Sequence, residues 1–116
     1  MSTPRVLVVD DEPAVLRLVS RALSIRGYEV HSAGSSMEAL DLAKTAPFFD
    51  LVVSDVIMPG MCGPELVRRI VQICPDTAVV LMSAQITAEA LPESAAFISK
   101  PFLVADLYSV VEQKLR

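Results

Sequence analysis

Residues 5–27 read RVLVVDDEPAVLRLVSRALSIRG, and this stretch decides the fold class. The run 5–9 is apolar and mostly β-branched, which is typical of a strand buried on both faces of a parallel sheet. Acidic residues end this strand. From Pro13 the apolar residues recur with helical spacing up to Ile25, and Gly27 ends the helix. The stretch therefore predicts one β-strand followed by one α-helix.

The same alternation continues along the chain. The predicted strands cover residues 5–9, 28–33, 50–54, 78–82 and 95–98, and the predicted helices cover residues 13–25, 36–46, 63–74 and 104–115. Between the last two strands, Pro92 leaves room for about two helical turns at most, so a helix there is expected to be short or missing. The alternation predicts an α/β fold with a parallel sheet and right-handed crossovers.

Composition and charge exclude several classes of protein. The chain has 116 residues, 53% of them hydrophobic, which predicts one domain over residues 1–116. A net charge of -4 has the wrong sign for binding nucleic acid or anionic lipid. No apolar run is long enough for a membrane span, and the N-terminus lacks the plan of a signal peptide, so a soluble cytoplasmic protein is expected. Cys62 and Cys74 lack the spacing of a zinc or redox site.

Chemically active residue types follow the predicted strands. In chain order, the strand ends are followed by Asp10, Asp11 and Glu12, by Asp55, by Ser83 and by Lys100. Because ligands of parallel sheets bind beyond the carboxyl ends of the strands, these side chains are expected to converge. Two carboxylates about 5 Å apart repel by roughly 3 kcal/mol at an effective dielectric constant of roughly 20, so a cation is expected among them. Oxygen ligands without a His/Cys set favour Mg²⁺.

An aspartate, a metal ion, a hydroxyl and a lysine are the minimal apparatus for moving a phosphoryl group onto a carboxylate. Asp55 is the predicted acceptor, since its position at a strand end exposes the carboxylate while the strand holds it in place. Asp10 and Asp11 are expected to hold the metal. Lys100 and the Ser83 hydroxyl are expected to bind the oxygens of the phosphoryl group.

Four stretches carry a resemblance to a known family: VLVVDDE at 6–12, LVVSDVIMPGMCG at 51–63, LMSA at 81–84 and FISKPF at 97–102. On these stretches the chain resembles the response-regulator receiver domains of two-component signalling, of the kind exemplified by the bacterial chemotaxis response regulator. The resemblance covers nearly the whole chain. It implies a single flavodoxin-like (βα)5 domain with a parallel five-stranded sheet of order 2-1-3-4-5.

The resemblance also implies a function. Asp55 would accept a phosphoryl group from a histidine kinase or phosphotransfer domain, and the domain would then change conformation and signal to a downstream protein. Asp11, Asp55 and the Ile57 carbonyl would ligate Mg²⁺, and Asp10 would help through a metal-bound water. Such a protein is not an enzyme, because it catalyses only its own phosphorylation and dephosphorylation.

Further roles follow from the resemblance. Ser83 would be the hydroxyl switch residue and Lys100 the family's lysine, while Phe97 would take the place of the aromatic switch. The bond from Lys100 to Pro101 matches one that is usually cis in the family.

The chain departs from the family between the fourth and fifth strands. Ser83 and Lys100 are seventeen residues apart, closer than is typical of the family. The missing residues fall in the stretch that contains Pro92, which puts the usual output face in doubt. This shortened form resembles receivers joined to hybrid histidine kinases more than those of DNA-binding regulators.

We also expect two residues to tune the lifetime of the phosphorylated state. Ile57 and Gln85 would flank the acyl phosphate and set how fast water attacks it, since Gln can orient a water and Ile cannot.

Two other functions fit these residues less well. A haloacid-dehalogenase-type phosphatase uses the same residue types, but its DxD pattern is absent because Ile57 stands two residues after Asp55. A degenerate receiver that binds partners without phosphorylation would usually have lost an acidic residue or the lysine. The complete set in this chain favours the phosphoacceptor.

Overall fold

A computed structural model describes residues 3–45, 48–84 and 94–116 of the chain. The elements in these ranges are β1 (Arg5–Val9), α1 (Pro13–Ile25), β2 (Glu29–Ala33), α2 (Ser36–Thr45), β3 (Leu51–Asp55), α3 (Gly63–Ile73), β4 (Ala78–Ser83), β5 (Ala96–Ser99) and α4 (Val104–Leu115). No helix in the described ranges has the length and apolar character needed to cross a bilayer.

The five strands form one parallel sheet of order β2-β1-β3-β4-β5. This confirms the predicted fold class and strand order. The chain moves from β1 outward to β2, and then returns to the other side of β1 to form β3. The carboxyl ends of β1 and β3 therefore flank the point at which the direction of winding reverses, where ligands of such sheets bind.

The sheet lies between two helical layers. Leu7, Val9 and Val52 pack with buried residues of α2 and α3 on one face. Val8 and Val53 pack with buried residues of α1 and α4 on the other face. Because successive strand residues point to opposite faces, the continuous apolar runs of β1 and β3 supply both layers of the core.

The strand ends extend slightly beyond the predicted ones. Asp55 is the last residue of β3 and pairs in register with Met82, and Ser83 is the last residue of β4 and pairs with Ser99. Both residues were predicted to follow their strands. Ladder pairing continues through them because the neighbouring strand extends at least as far. The short or missing helix predicted around Pro92 lies outside the described residues.

Candidate functional site

Strand alternation brings three charged residues to one corner of the sheet. Asp10, Asp55 and Lys100 each stand two residues after a strand residue, Val8, Val53 or Ile98, that faces the α1–α4 layer. The three charged residues therefore lie on this same face, at the carboxyl ends of three strands or just beyond them. The Lys100 Nζ atom lies 2.8 Å from Asp10 Oδ2 and 3.4 Å from Asp55 Oδ1. The predicted convergence of these residues is therefore found in the structure.

Asp10 is held in place by two donors. Its carboxylate accepts the Glu12 N–H at 2.9 Å through Oδ1 and the Lys100 ammonium at 2.8 Å through Oδ2. Asp10 is 0% exposed. A fully buried carboxylate is costly unless its oxygens are paired in this way. Lys100 is thus part of the reason that Asp10 can be ionised.

Asp55 is in a less favourable electrostatic position. Burial raises the pKa of its carboxyl, the charge of Asp10 raises it further, and Lys100 only partly opposes both. Burial also disfavours the charged form of Lys100, but the hydrogen bond and charge of Asp10 and the charge of Asp55 outweigh it and raise the pKa of Lys100. Lys100 therefore remains an ammonium between two carboxyl groups.

Asp10, Asp11 and Asp55 form an acidic cluster that could bind a metal ion. One carboxylate oxygen from each residue lies within 4.8 Å of the other two. The ammonium of Lys100 carries one positive charge beside these three carboxylates. Negative charge therefore remains uncompensated when all four groups are ionised. Hard oxygen donors at this spacing suit a divalent cation of the Mg²⁺ type.

Gly63 controls where the end of β3 lies. A Cβ atom at this position would stand 2.0 Å from the Asp55 carbonyl oxygen. The Gly63 N–H donates a hydrogen bond of 2.8 Å to the Val56 carbonyl, which holds the start of α3 against the end of β3. Sequence reasoning assigned Gly63 only to a helix start. Its place inside the matched stretch 51–63 was the available signal for a role in the site.

Ser83 and Phe97 lie on the neighbouring strands. Ser83 is 1% exposed, and its carbonyl accepts the Lys100 N–H at 2.8 Å, which ties the ends of β4 and β5 together. Phe97 pairs in register with Leu81 and packs, partly buried, against the α2–α3 layer. Ser83 thus lies at the end of β4 beside the backbone of Lys100, and Phe97 packs against the core.

The remaining predicted site residues have different outcomes. The Lys100–Pro101 peptide bond is cis, as the resemblance implied. The Ile57 side chain is 60% exposed. Gln85 lies outside the described residues, so its predicted place beside the acceptor stays a prediction.

A match over most of the chain identifies its protein family. Residues 6–112 match the model of the response regulator receiver domain. The chain is a member of the response regulator receiver domain family. The receiver domains of this family belong to two-component signalling, so the resemblance read from the four sequence stretches is confirmed.

Two curated relatives and one solved structure illustrate the similarity. The sensor kinase CckA of Brucella abortus is 40% identical over 95% of this receiver domain and 12% of its own length. The receiver protein CpdR of the same organism is 31% identical, and 96% of each chain is covered. The crystal structure of the receiver domain of the hybrid histidine kinase CckA has a TM-score of 0.84 at 37% identity, covering 97% of this chain and 99% of that one.

The relatives differ in what accompanies the receiver domain. This chain spans about an eighth of the CckA sensor kinase and a quarter of the transcriptional regulator NtrC of Azospirillum brasilense, but nearly all of CpdR. Receiver domains similar to this one therefore occur in kinase-linked, transcription-regulating and single-domain proteins.

Proposed function

We propose that Asp55 accepts a phosphoryl group from the phosphohistidine of a histidine kinase or phosphotransfer domain, in a reaction that requires Mg²⁺. The observation that carries this proposal is the ammonium of Lys100, which lies 2.8 Å from Asp10 and 3.4 Å from Asp55 at the corner where three carboxylates meet. A structural ion pair needs one carboxylate, whereas this corner gathers three and holds one of them in an unfavourable environment.

Asp55 is the nucleophile of the proposed reaction. One of its carboxylate oxygens attacks phosphorus in line, and the bond from phosphorus to the donor imidazole nitrogen breaks with its electron pair returning to the imidazole. The product is an acyl phosphate on Asp55. Lys100 stands beside Oδ1 of Asp55, where its ammonium can neutralise charge on the phosphoryl oxygens.

Asp10, Asp11 and Asp55 would hold the metal ion, together with the Ile57 carbonyl. When bound, Mg²⁺ would neutralise charge shared between the carboxylates and the phosphoryl oxygens. Asp10 already has an N–H donor on one oxygen and the Lys100 ammonium on the other. This pairing supports an indirect role for Asp10, through a water, and leaves direct contacts to Asp11 and Asp55.

The switch would begin at Ser83. A phosphoryl group adds a charge of about -1.5 to -2 and three acceptor oxygens, which would draw the Ser83 hydroxyl inward. Phe97 would then move into the space that Ser83 leaves, and the altered surface around β4 and β5 would be recognised by a downstream protein. The partly buried position of Phe97 against the core supports this step.

A groove beside Lys100 supports the proposal that the phosphoryl donor is a protein. We define the donor groove by its lining residues, Glu12, Val15, Leu18, Ala84, Lys100, Pro101 and Phe102; its volume is about 320 Å³. It is mostly apolar, it opens next to Lys100, and Leu18 within it is 50% exposed. Replacing Leu18 with Asp would slow transfer from a phosphohistidine protein and leave phosphorylation by a small donor unchanged. If the protein donor phosphorylated Leu18→Asp as fast as the wild type, docking of the donor in this groove would be excluded.

The domain acts as a signalling switch and not as an enzyme on external substrates, and we place it in the cytoplasm. Ile57 would affect the lifetime of the acyl phosphate, because its exposed side chain stands beside the acceptor strand. Ile57→Asn is expected to change the rate at which the phosphoprotein loses its label. An unaltered rate would remove Ile57 from this role.

The decisive experiment uses acetyl phosphate as the small donor. With Mg²⁺, the wild-type protein is expected to become an acid-stable, hydroxylamine-labile phosphoprotein, and EDTA or Asp55→Asn is expected to abolish the product. Asp50→Asn is the matched control, since it alters the aspartate at the other end of the same strand. Labelling of Asp55→Asn at the wild-type level would disprove the proposal. Turnover of many equivalents of donor per protein would indicate a phosphatase, and no labelling of wild type would indicate a degenerate receiver.

A further inference from the structure

A second groove lies on the other side of α1, between this helix and the edge strand β2. Its volume is about 600 Å³, and we name it the arginine groove. The lining residues are Pro13, Leu16, Arg17, Ser20, Arg21, Ser24 and Ser32. It shares none of these residues with the donor groove. No Asp or Glu of the described part of the chain lines it.

Two arginines give the arginine groove a positive charge in a chain whose net charge is -4. Arg17 and Arg21 are one helical turn apart, so their side chains lie on the same face of α1. Both are exposed, and neither forms an ion pair with any described carboxylate. Their guanidinium donors are therefore available to a ligand.

The arginines of α3 show that this arrangement is not general in the molecule. Arg68 and Arg69 are also exposed and helical, but both pair with Glu65, at 3.2 Å in the case of the Arg69 Nε atom. Opposite charges three or four residues apart on a helix attract each other in this way. In the arginine groove the positive charges have serine hydroxyls around them instead of a carboxylate.

Three serines complete the arginine groove. The Oγ atom of Ser20 is shielded from solvent, and it has no hydrogen-bond partner among the described residues. Ser32 pairs in register with Val8, whose side chain packs in the α1–α4 layer, so Ser32 lies on the same face of the sheet as α1. Serines of α1 and β2 thus line one space together with two arginines, and the Ser20 hydroxyl lies beneath its surface without a partner among the described residues.

We propose that the arginine groove binds a phosphate-type oxyanion. Guanidinium groups recognise phosphate oxygens with paired N–H donors, and hydroxyls add further hydrogen bonds without adding negative charge. A volume of about 600 Å³ is larger than a free phosphate ion needs, so a nucleotide or another small phosphorylated molecule also fits. The site needs no metal ion, which separates it from the acidic cluster around Asp55.

The test is a titration of the full chain with inorganic phosphate in EDTA at constant ionic strength, and amide NMR monitors the binding. Binding predicts saturable shifts confined to α1 and to Ser32, whereas equal shifts with added chloride, or shifts that never saturate, would overturn the proposal. A parallel titration with AMP distinguishes the source of the phosphate. Tighter binding of AMP indicates a nucleotide, and equal binding indicates recognition of the phosphate group alone.

A double variant supplies the second readout. Arg17→Gln with Arg21→Gln is expected to weaken phosphate binding by roughly tenfold or more, because hydrogen bonds to charged groups are the strong ones. The matched control, Arg68→Gln with Arg69→Gln, removes the same charge from α3 and should leave the affinity unchanged. Equal loss in both double variants would show a nonspecific charge effect and would overturn the proposal. Both pairs are exposed, so circular dichroism should show an unchanged fold.

Discussion

Asp50 precedes the first residue of β3 and Asp55 is its last residue, and the two carboxylates have opposite environments. At the amino end, Asp50 accepts the Arg5 N–H at 2.7 Å through Oδ2, and its own N–H donates to the Arg5 carbonyl at 2.8 Å. At the carboxyl end, Asp55 faces Asp10 and shares the ammonium of Lys100 with it. The first carboxylate closes a structural contact with the backbone of β1. The second is placed where its ionised form is disfavoured.

This difference separates stability from function along one strand. The hydrogen bond to Asp50 supplies a partner for a backbone donor at the start of β1, so it stabilises the sheet. The gathering of carboxylates around Asp55 opposes folding and is maintained by the rest of the fold. A carboxylate whose ionised form is disfavoured is also the one that a bound cation, or conversion to an acyl phosphate, stabilises most. The following substitutions test whether the two ends have these opposite energetics.

Lys100→Met should have the largest effect on stability. It would leave the fully buried carboxylate of Asp10 without its cation, and breaking a buried pair in this way typically costs about 3 kcal/mol or more. Urea unfolding in EDTA measures the change. Lys44→Met, at an exposed site near the end of α2, is the control and should change stability by no more than about 0.5 kcal/mol. Similar losses in both variants would mean that Lys100 does not stabilise Asp10.

Asp50→Ala should destabilise the protein by about 1–3 kcal/mol, because the Arg5 N–H loses its partner at a half-buried position. The same urea titration measures it. Asp50→Asn keeps an acceptor oxygen and should recover part of the loss. If Asp50→Ala unfolded at the wild-type urea concentration, the amino end of β3 would have no stabilising role for its aspartate.

Asp55→Asn should have the opposite sign and increase stability by on the order of 1 kcal/mol at neutral pH in EDTA, since it removes a charge that burial disfavours and that Asp10 repels. The folded-state pKa of Asp55 is raised, so its ionised form costs stability above that pKa. The cost disappears as the pH falls below the unfolded-state pKa of about 4. The advantage of Asn should therefore fade in acid.

Magnesium provides the control for this substitution. A cation that binds only the folded state stabilises it, so Mg²⁺ should raise the unfolding midpoint of the wild type and have a much smaller effect on Asp55→Asn. If Asp55→Asn were less stable than the wild type in EDTA at neutral pH, the proposed electrostatics at the carboxyl end of β3 would be contradicted.

The sequence predicted the carboxyl end better than the amino end. Asp10, Asp55 and Lys100 were identified because strand alternation and a parallel sheet leave little freedom in where residues at strand ends point. The contact between Asp50 and the Arg5 N–H joins residues forty-five positions apart. It depends on the register between β1 and β3, which the residue pattern of a fully buried strand does not specify.

Gly63 shows the same limit within the site. Its type is compatible with any loop or helix start, and the requirement for glycine arises only from the approach of α3 to the Asp55 carbonyl. A close approach between two backbones depends on how a helix packs against the sheet. Local sequence patterns carry residue type and periodicity, so they predicted the charged groups of the site but not the packing that positions them.

The smallest effect belongs to an exposed pair on β2, on the opposite side of β1 from Asp50. The pKa of Glu29 is lowered chiefly by its hydrogen bond with His31, at 2.8 Å, with the charge of Arg5 adding to it. A lowered folded-state pKa stabilises the protein above the unfolded-state pKa, and this contribution is lost as the pH falls through the folded-state value. His31→Ala should therefore raise the pKa of Glu29 in a carbon-detected NMR titration and change stability very little, because an exposed pair is screened by water. An unchanged Glu29 titration would show that His31 does not stabilise its carboxylate, and a large loss of stability would show that the amino end depends on charge pairs as well as on the backbone contact of Asp50.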